Sequence, residues 1–158
     1  MPIDTRRVQG RRPLRFTSLD AMLADAERLV ASPNTKMLGN WPLGQILTHL
    51  TLAIHSSIDG ISARAPWFIR MLGPWIKKRI LVRGMSPGFK LPRTVERSFF
   101  PPSASARDAL EKLRIAAGRL QSEKMTAIHP VLGKLTHEEW LELHLRHAEM
   151  HLSFAVPD

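Results

Sequence analysis

The segment from Thr136 to Phe154 sets histidines into the middle of an apolar helical face, and a chain can tolerate that only if something satisfies the buried rings. Thr136 followed three residues later by Glu139 is a capping-box pattern, which opens a helix. On a wheel of about 100° per residue, His144, His147 and His151 share a face with Trp140, Leu141, Ala148, Leu152 and Phe154. The opposite arc, Glu142, Arg146, Glu149 and Ser153, is expected to face water. An unpartnered buried polar group costs about 1–3 kcal/mol, so three imidazoles in one stripe need organised partners. A divalent metal meets that need: each neutral imidazole gives it a lone pair and offers the other N–H to a neighbouring acceptor. His147 and His151 stand one turn apart, so both rings reach a single ion.

Apolar residues recur at three-and-four spacing in three further stretches. The first helix takes Ser18 as N-cap, turns Leu19, Met22, Leu23, Ala26, Leu29 and Val30 inwards, and stops at Ser32-Pro33-Asn34. The second begins at Asn40 as N-cap with Pro42 in its first turn, carries the stripe Leu43, Ile46, Leu47, Leu50, Ile54 and Ile58, and ends at Gly60. A third runs from about Ser103 to Glu123, with Ala106, Ala109, Leu110, Leu113, Ala116, Ala117 and Leu120 inward. Between the second and third lies a basic, amphipathic insertion, residues 66–83, helical but broken at Gly73-Pro74. Its Trp67, Phe68, Met71, Leu72, Trp75 and Ile76 are expected to cap the core or form a dimer contact, in preference to resting on a membrane. A long loop with Pro87, Gly88, Pro92 and Pro101-Pro102 follows, of a length that often covers a site. The pattern predicts an all-α fold, a four-helix bundle with one additional helical insertion. Residues 1–16 read as a solvated basic arm and 17–158 as a single domain.

Composition narrows the chemistry. With 158 residues and 44% hydrophobic content the chain buries a core without staples. It contains no cysteine, which excludes disulfides, thiolate zinc sites and a cysteine nucleophile from this chain, so a metal must be held by nitrogen and oxygen. The charge of +9 suits an anionic partner, but no helix-turn-helix, zinc-finger or aromatic RNA-binding pattern turns it into base readout, and specific nucleic-acid binding is not expected. No apolar run reaches the length of a membrane span and no secretory signal is evident, so a cytoplasmic location is expected.

Two ligands from one helix leave a site incomplete. His49 sits beside the apolar stripe of the second helix and is the best third ligand. His55 falls on the polar side with Thr48 and Asp59 and is expected to face solvent. His144, one turn before His147, is a reserve ligand or a hydrogen-bonding support. His129 can reach a site mouth from its loop, and His137 is expected to be exposed. The competing reading is an HxxxH coincidence, each ring hydrogen-bonded to a carbonyl or carboxylate.

The segment Asn40-Trp41-Pro42-Leu43-Gly44-Gln45-Ile46-Leu47-Thr48-His49-Leu50, followed by Ser57-Ile58-Asp59-Gly60, resembles the second-helix signature of the DinB-like superfamily. More narrowly it resembles an uncharacterised bacterial branch, a domain of unknown function. Gly84-Met85-Ser86-Pro87-Gly88-Phe89-Lys90-Leu91-Pro92 is similar to that branch, as are His129-Pro130, Gly133-Lys134-Leu135-Thr136, Glu139-Trp140 and the run from His147 to Leu152. The resemblance implies a DinB-like four-helix bundle in which His49, His147 and His151 bind zinc, nickel or a similar divalent ion. It further implies kinship with metal-dependent transferases and isomerases that use low-molecular-weight thiols such as mycothiol or bacillithiol, and with proteins that dimerise. The chain departs from the common ending, Arg-Gly-Gln after the last histidine, by having Leu152-Ser153-Phe154, and Met150 stands where the nearer branch often has a histidine.

The expectation for function is therefore a divalent-metal-dependent enzyme, a thiol-dependent transferase or a hydrolase, acting on a small molecule. His144, His55 and, last, Glu149 are the candidates for proton transfer. The alternative is a non-catalytic bundle that binds a metal, a partner or a membrane.

Overall fold

The computed structural model describes residues 2–62, 64–88 and 100–158; Pro92, the end of the Gly84–Pro92 motif and most of the long loop lie outside them. Six helices are found among the described residues: α1 (Leu19–Ala31), α2 (Leu43–Asp59), α3 (Trp67–Met71), α4 (Gly73–Arg83), α5 (Ala106–Ser122) and α6 (His137–Leu152). The molecule is mainly helical. A small sheet among the described residues pairs Lys36 and Met37 (β1) antiparallel with Val156 and Ala155 (β2), which ties the end of the chain back to the connection after α1.

Local signals account for three of the four long-helix starts. Ser18 accepts from the Ala21 amide and Ser105 from that of Asp108, and Thr136 and Glu139 complete the expected capping box. Gly60 ends α2 with φ 108°, a conformation that favours glycine. The start of α2 differs from expectation. The cap is Pro42, with no side-chain bond, because Asn40 pairs with the N-terminal segment, accepting from the Ile3 amide at 2.7 Å and donating to its carbonyl at 2.9 Å.

The main core is built by α1, α2, α5 and α6, through Met22, Ala26 and Leu29, then Leu47, Leu50 and Ile54, then Leu113, Ala116 and Leu120, then Leu145, Ala148 and Leu152. The α2–α5 contact is the most extensive. It is close enough at one end that a Cβ on Gly44 would stand 2.0 Å from the Ala104 carbonyl oxygen.

The insertion lies on α6 over a second cluster, Ala65, Val131, Leu132, Trp140 and Leu143, which it covers with Ile69, Ile76, Ile80 and Leu81. Lys77 and Glu139 are paired at 2.7 Å. The break falls at Leu72, while Gly73 and Pro74 open α4, where a missing N–H costs little. The expectation that the Trp and Phe rings cap the core is corrected: Trp67, Phe68, Met71, Leu72 and Trp75 are exposed, and of the six residues named for that role Ile76 alone faces inwards.

The N-terminal residues are not a solvated arm throughout, and the arc Glu142–Ser153 does not simply face water. Residues 11–16 form a strap across α6. Arg12 grips both oxygens of Asp25 at 2.7 Å and the Ala155 carbonyl at 2.6 Å, and Arg11 donates to Ser153. Glu149 accepts from the Phe16 amide at 2.5 Å, and Arg146 donates to the Phe16 carbonyl at 2.8 Å. Arg146, Glu149 and Ser153 are consequently buried, while Glu142 stays at the edge. Burying charge is tolerable here because each charged group has an ion-pair partner and a hydrogen bond to the strap.

Candidate metal centre

Two helices and one loop build the centre. The capping box fixes the start of α6, and one turn of it separates His147 from His151; α2 brings His49 against both. The Nε2 atoms of His49 and His147 are 3.1 Å apart, those of His151 and His147 are 3.0 Å apart, and ligand atoms of all three rings lie within 4.8 Å of one another. Trp41, just ahead of α2, stacks on His151 with the planes 8° apart and packs tilted on His49. Phe100, exposed, meets Trp41 edge-on.

This arrangement asks for a cation. The Nε2 of a neutral imidazole offers either one N–H or one in-plane lone pair, so His147 Nε2 can satisfy one of its two neighbours but not both. Nitrogen donors about 2.0–2.1 Å from a shared tetrahedral zinc ion stand roughly 3.3–3.4 Å apart, and the two short separations, 3.1 and 3.0 Å, come within a few tenths of an ångström of that. Burial holds His147 and His151 well below the ordinary imidazole pKa, and charge on the neighbouring rings lowers both further. Neutral rings are the form that binds metal. The residues therefore fit a divalent ion, and among the described residues the cluster contains these three ligands.

His144 lies in the same helix but is given to a different partner. Ser57 Oγ donates to the Ile54 carbonyl at 2.7 Å, so its lone pair is what meets His144 Nε2 at 2.9 Å; His144 is therefore the donor and carries its proton on Nε2. Burial, with the charge of His129 adding, pushes His144 down to about 3. The ring also stacks on Trp140, whose buried Nε1–H has no hydrogen-bond partner among the described residues. Of the two roles expected for His144, the geometry presents the hydrogen-bonding one.

The other candidates are placed elsewhere. His55 is half-buried and held by Arg119 at 2.7 Å, in a group with Asp59, rather than facing solvent alone. His129 shapes its own turn: Nδ1 accepts from the amides of Val131 and Leu132, the ring packs on Trp140, and burial lowers its pKa to about 4. His137 is exposed, as expected. Glu149, read as a solvent-side proton carrier, is enclosed between Arg146 and the strap.

Reasoning from sequence missed Trp41 as a wall of the centre and Ser57 as the partner of His144. Ser57 had a signal, since it falls one helical repeat after Leu50 on the inward face of α2 and is fully buried. Trp41 stood in the quoted motif, but a ring ahead of a helix has no periodicity to say what it touches.

Comparison with known families adds one finding. Residues 8–158 match the model of a family described as a protein of unknown function, DUF1569. No curated protein and no solved structure matches the chain.

Proposed function

We propose, for this chain, which belongs to the DUF1569 family, that its function is carried by a divalent metal held by the Nε2 atoms of His49, His147 and His151. The observation that carries the reading is the convergence of three imidazole rings, two of them held neutral by burial, whose mutual contacts cannot all be hydrogen bonds. The finer structural reading is a DinB-like four-helix bundle of α1, α2, α5 and α6, with α3 and α4 as its insertion.

A divalent ion with three imidazole ligands and open positions would supply Lewis-acid activation of a thiol or a water molecule, the chemistry of a transferase or a hydrolase. The chain's own residues prepare that chemistry. Burial keeps His147 and His151 unprotonated at neutral pH. Trp41 shields one side of His151 from water and limits how its ring can turn. His144, through Ser57, pins α6 to α2 one turn before His147 and so fixes the distance across which the ligands meet. Zinc and nickel are both compatible with three imidazoles.

The test begins with metal content. After reconstitution with zinc or nickel, the purified chain is expected to hold close to one ion, and H147A and H151A to lose it; a wild-type chain that binds none overturns the reading. Metal-loaded protein is then assayed with low-molecular-weight thiols and electrophilic acceptors. Turnover that H147A abolishes supports the transferase. Stoichiometric metal with no turnover of thiol or hydrolysable substrates favours the second reading, a non-catalytic metal-binding protein.

A further inference from the structure

The segment Trp67–Arg83 is apolar on two faces, and the fold covers one of them. Ile69, Ile76, Ile80 and Leu81 pack inwards on the Trp140 cluster. Trp67, Phe68, Met71, Leu72 and Trp75 form the neighbouring stripe, at positions i, i+1, i+4, i+5 and i+8, and are 71, 56, 70, 58 and 67% exposed. Isolated apolar side chains are ordinary on a surface. Five bulky ones in one stripe, two of them Trp, mark a contact site. A helix apolar on both sides is one that is covered on both sides.

Charge selects the partner. From Gly60 to Val95 the sequence has eight Lys or Arg and no Asp or Glu, so nearly all of the +9 excess belongs to this one segment. Lys77 is engaged with Glu139, but Arg70, Lys78, Arg79 and Arg83 are exposed around the stripe. A second copy of the chain would press two such surfaces together with no acidic residue in the segment to offset the repulsion. Nucleic acid would meet the cations but has no use for Met71 and Leu72. An anionic bilayer answers both features, since its headgroups attract Lys and Arg while the acyl boundary accepts Trp, Phe, Met and Leu. Trp is suited to that boundary because its ring is apolar and its N–H is polar.

We propose that the exposed face of α3 and α4 docks on the surface of an anionic lipid bilayer. The contact is peripheral: no helix among the described residues is long and apolar enough to cross a membrane. Gly73 and the Lys77–Glu139 pair hold the segment against the Trp140 cluster, so the stripe is presented outwards as a rigid surface. The proposal is independent of the metal centre.

The test uses the full chain with vesicles of phosphatidylcholine, alone or with phosphatidylglycerol. Co-sedimentation with the phosphatidylglycerol vesicles is expected, weakening with salt, accompanied by a blue shift of tryptophan emission. W67S/W75S should lower binding by at least about tenfold, from the lost burial of two large rings. K78E/R79E should lower it by at least about fivefold for each charge. All four positions are exposed, so both variants are expected to melt like the wild type. Absence of wild-type sedimentation, or W67S/W75S binding as the wild type does, overturns the proposal. A dimer in light scattering that W67S/W75S dissociates, with no vesicle binding, assigns the face to a second copy. Capture of duplex DNA or RNA without vesicle binding assigns it to nucleic acid, and a drop of several degrees in the melting of vesicle-free W67S/W75S shows that the chain covers this face itself.

Discussion

Asp25 shows how much one carboxylate holds in this protein. It sits on α1 and is buried between Arg12 of the strap and Arg28 of its own helix, with each guanidinium at 2.7 Å. Burial alone would raise its pKa; the hydrogen bonds from the two arginines outweigh that and hold it below the usual 3.8. A depressed folded pKa means that the stabilisation is complete above the unfolded value and is lost as pH falls through the lower folded value. Asp25→Asn is therefore expected to cost about 3 kcal/mol at pH 7, because it leaves Arg12 buried without its counter-charge. The deficit should narrow as the pH falls below 3.8, where the unfolded chain takes up a proton that folded Asp25 still excludes, and close below the lower folded value; urea titrations at pH 7 and below pH 3.8 check this. Legibility at this scale was uneven. His147 and His151 were placed by the helical wheel and His49 by its position beside the apolar stripe of α2, whereas the arc Glu142, Arg146, Glu149 and Ser153 was read as wet. A wheel says which side of a helix is less apolar, not what lies over it, and what lies over it is Phe16, 130 residues from Arg146 in sequence.

Helix identity follows from short-range chemistry, and helix approach does not. The Ser18, Ser105 and Thr136 caps and the Gly60 stop act within one turn, so the chain announces them. Gly44 is different. Nothing local distinguishes it from Gly118, yet a Cβ at Gly44 would strike the Ala104 carbonyl at 2.0 Å while one at Gly118 would meet nothing within 4 Å among the described residues. Gly44→Ala is expected to destabilise by about 3 kcal/mol, since backbone cannot rotate away as a side chain can. Gly118→Ala, in an exposed helix interior, should stabilise by about 0.5–1 kcal/mol. Chemical denaturation of the pair reads both signs, and two equal shifts would remove the close α2–α5 approach from the explanation.

For the molecule as a whole, the histidine cluster links α2 to α6, and a ligand that binds the native state alone stabilises all of it. At a zinc or nickel concentration a hundredfold above Kd, the wild type should gain about 2.7 kcal/mol, read as a rise of roughly 5–10 °C in Tm for a chain of this size. H147A should not respond. Because the rings must be neutral to bind, the gain should shrink as the pH is lowered and protons compete for the imidazoles. A melting temperature indifferent to metal at every pH would mean that the three rings meet for another reason.

The helices, most of their inward faces and the turn that carries His147 and His151 are legible in the chain, because these rest on hydrogen bonds and periodicities that span a few residues. So is the composition that directs a metal to nitrogen and oxygen ligands. Long-range packing is what makes Trp41 a wall of the centre, lets Ser57 fix the proton of His144, closes the arginines of the N-terminal segment over α6 and turns the tryptophans of the insertion outwards. Each of those facts depends on which distant surface arrives first at a buried polar group or an apolar stripe. The three histidines belong to both accounts: spacing put two of them on one helix face, and the packing of α2 against α6 brought the third within 3.1 Å of His147.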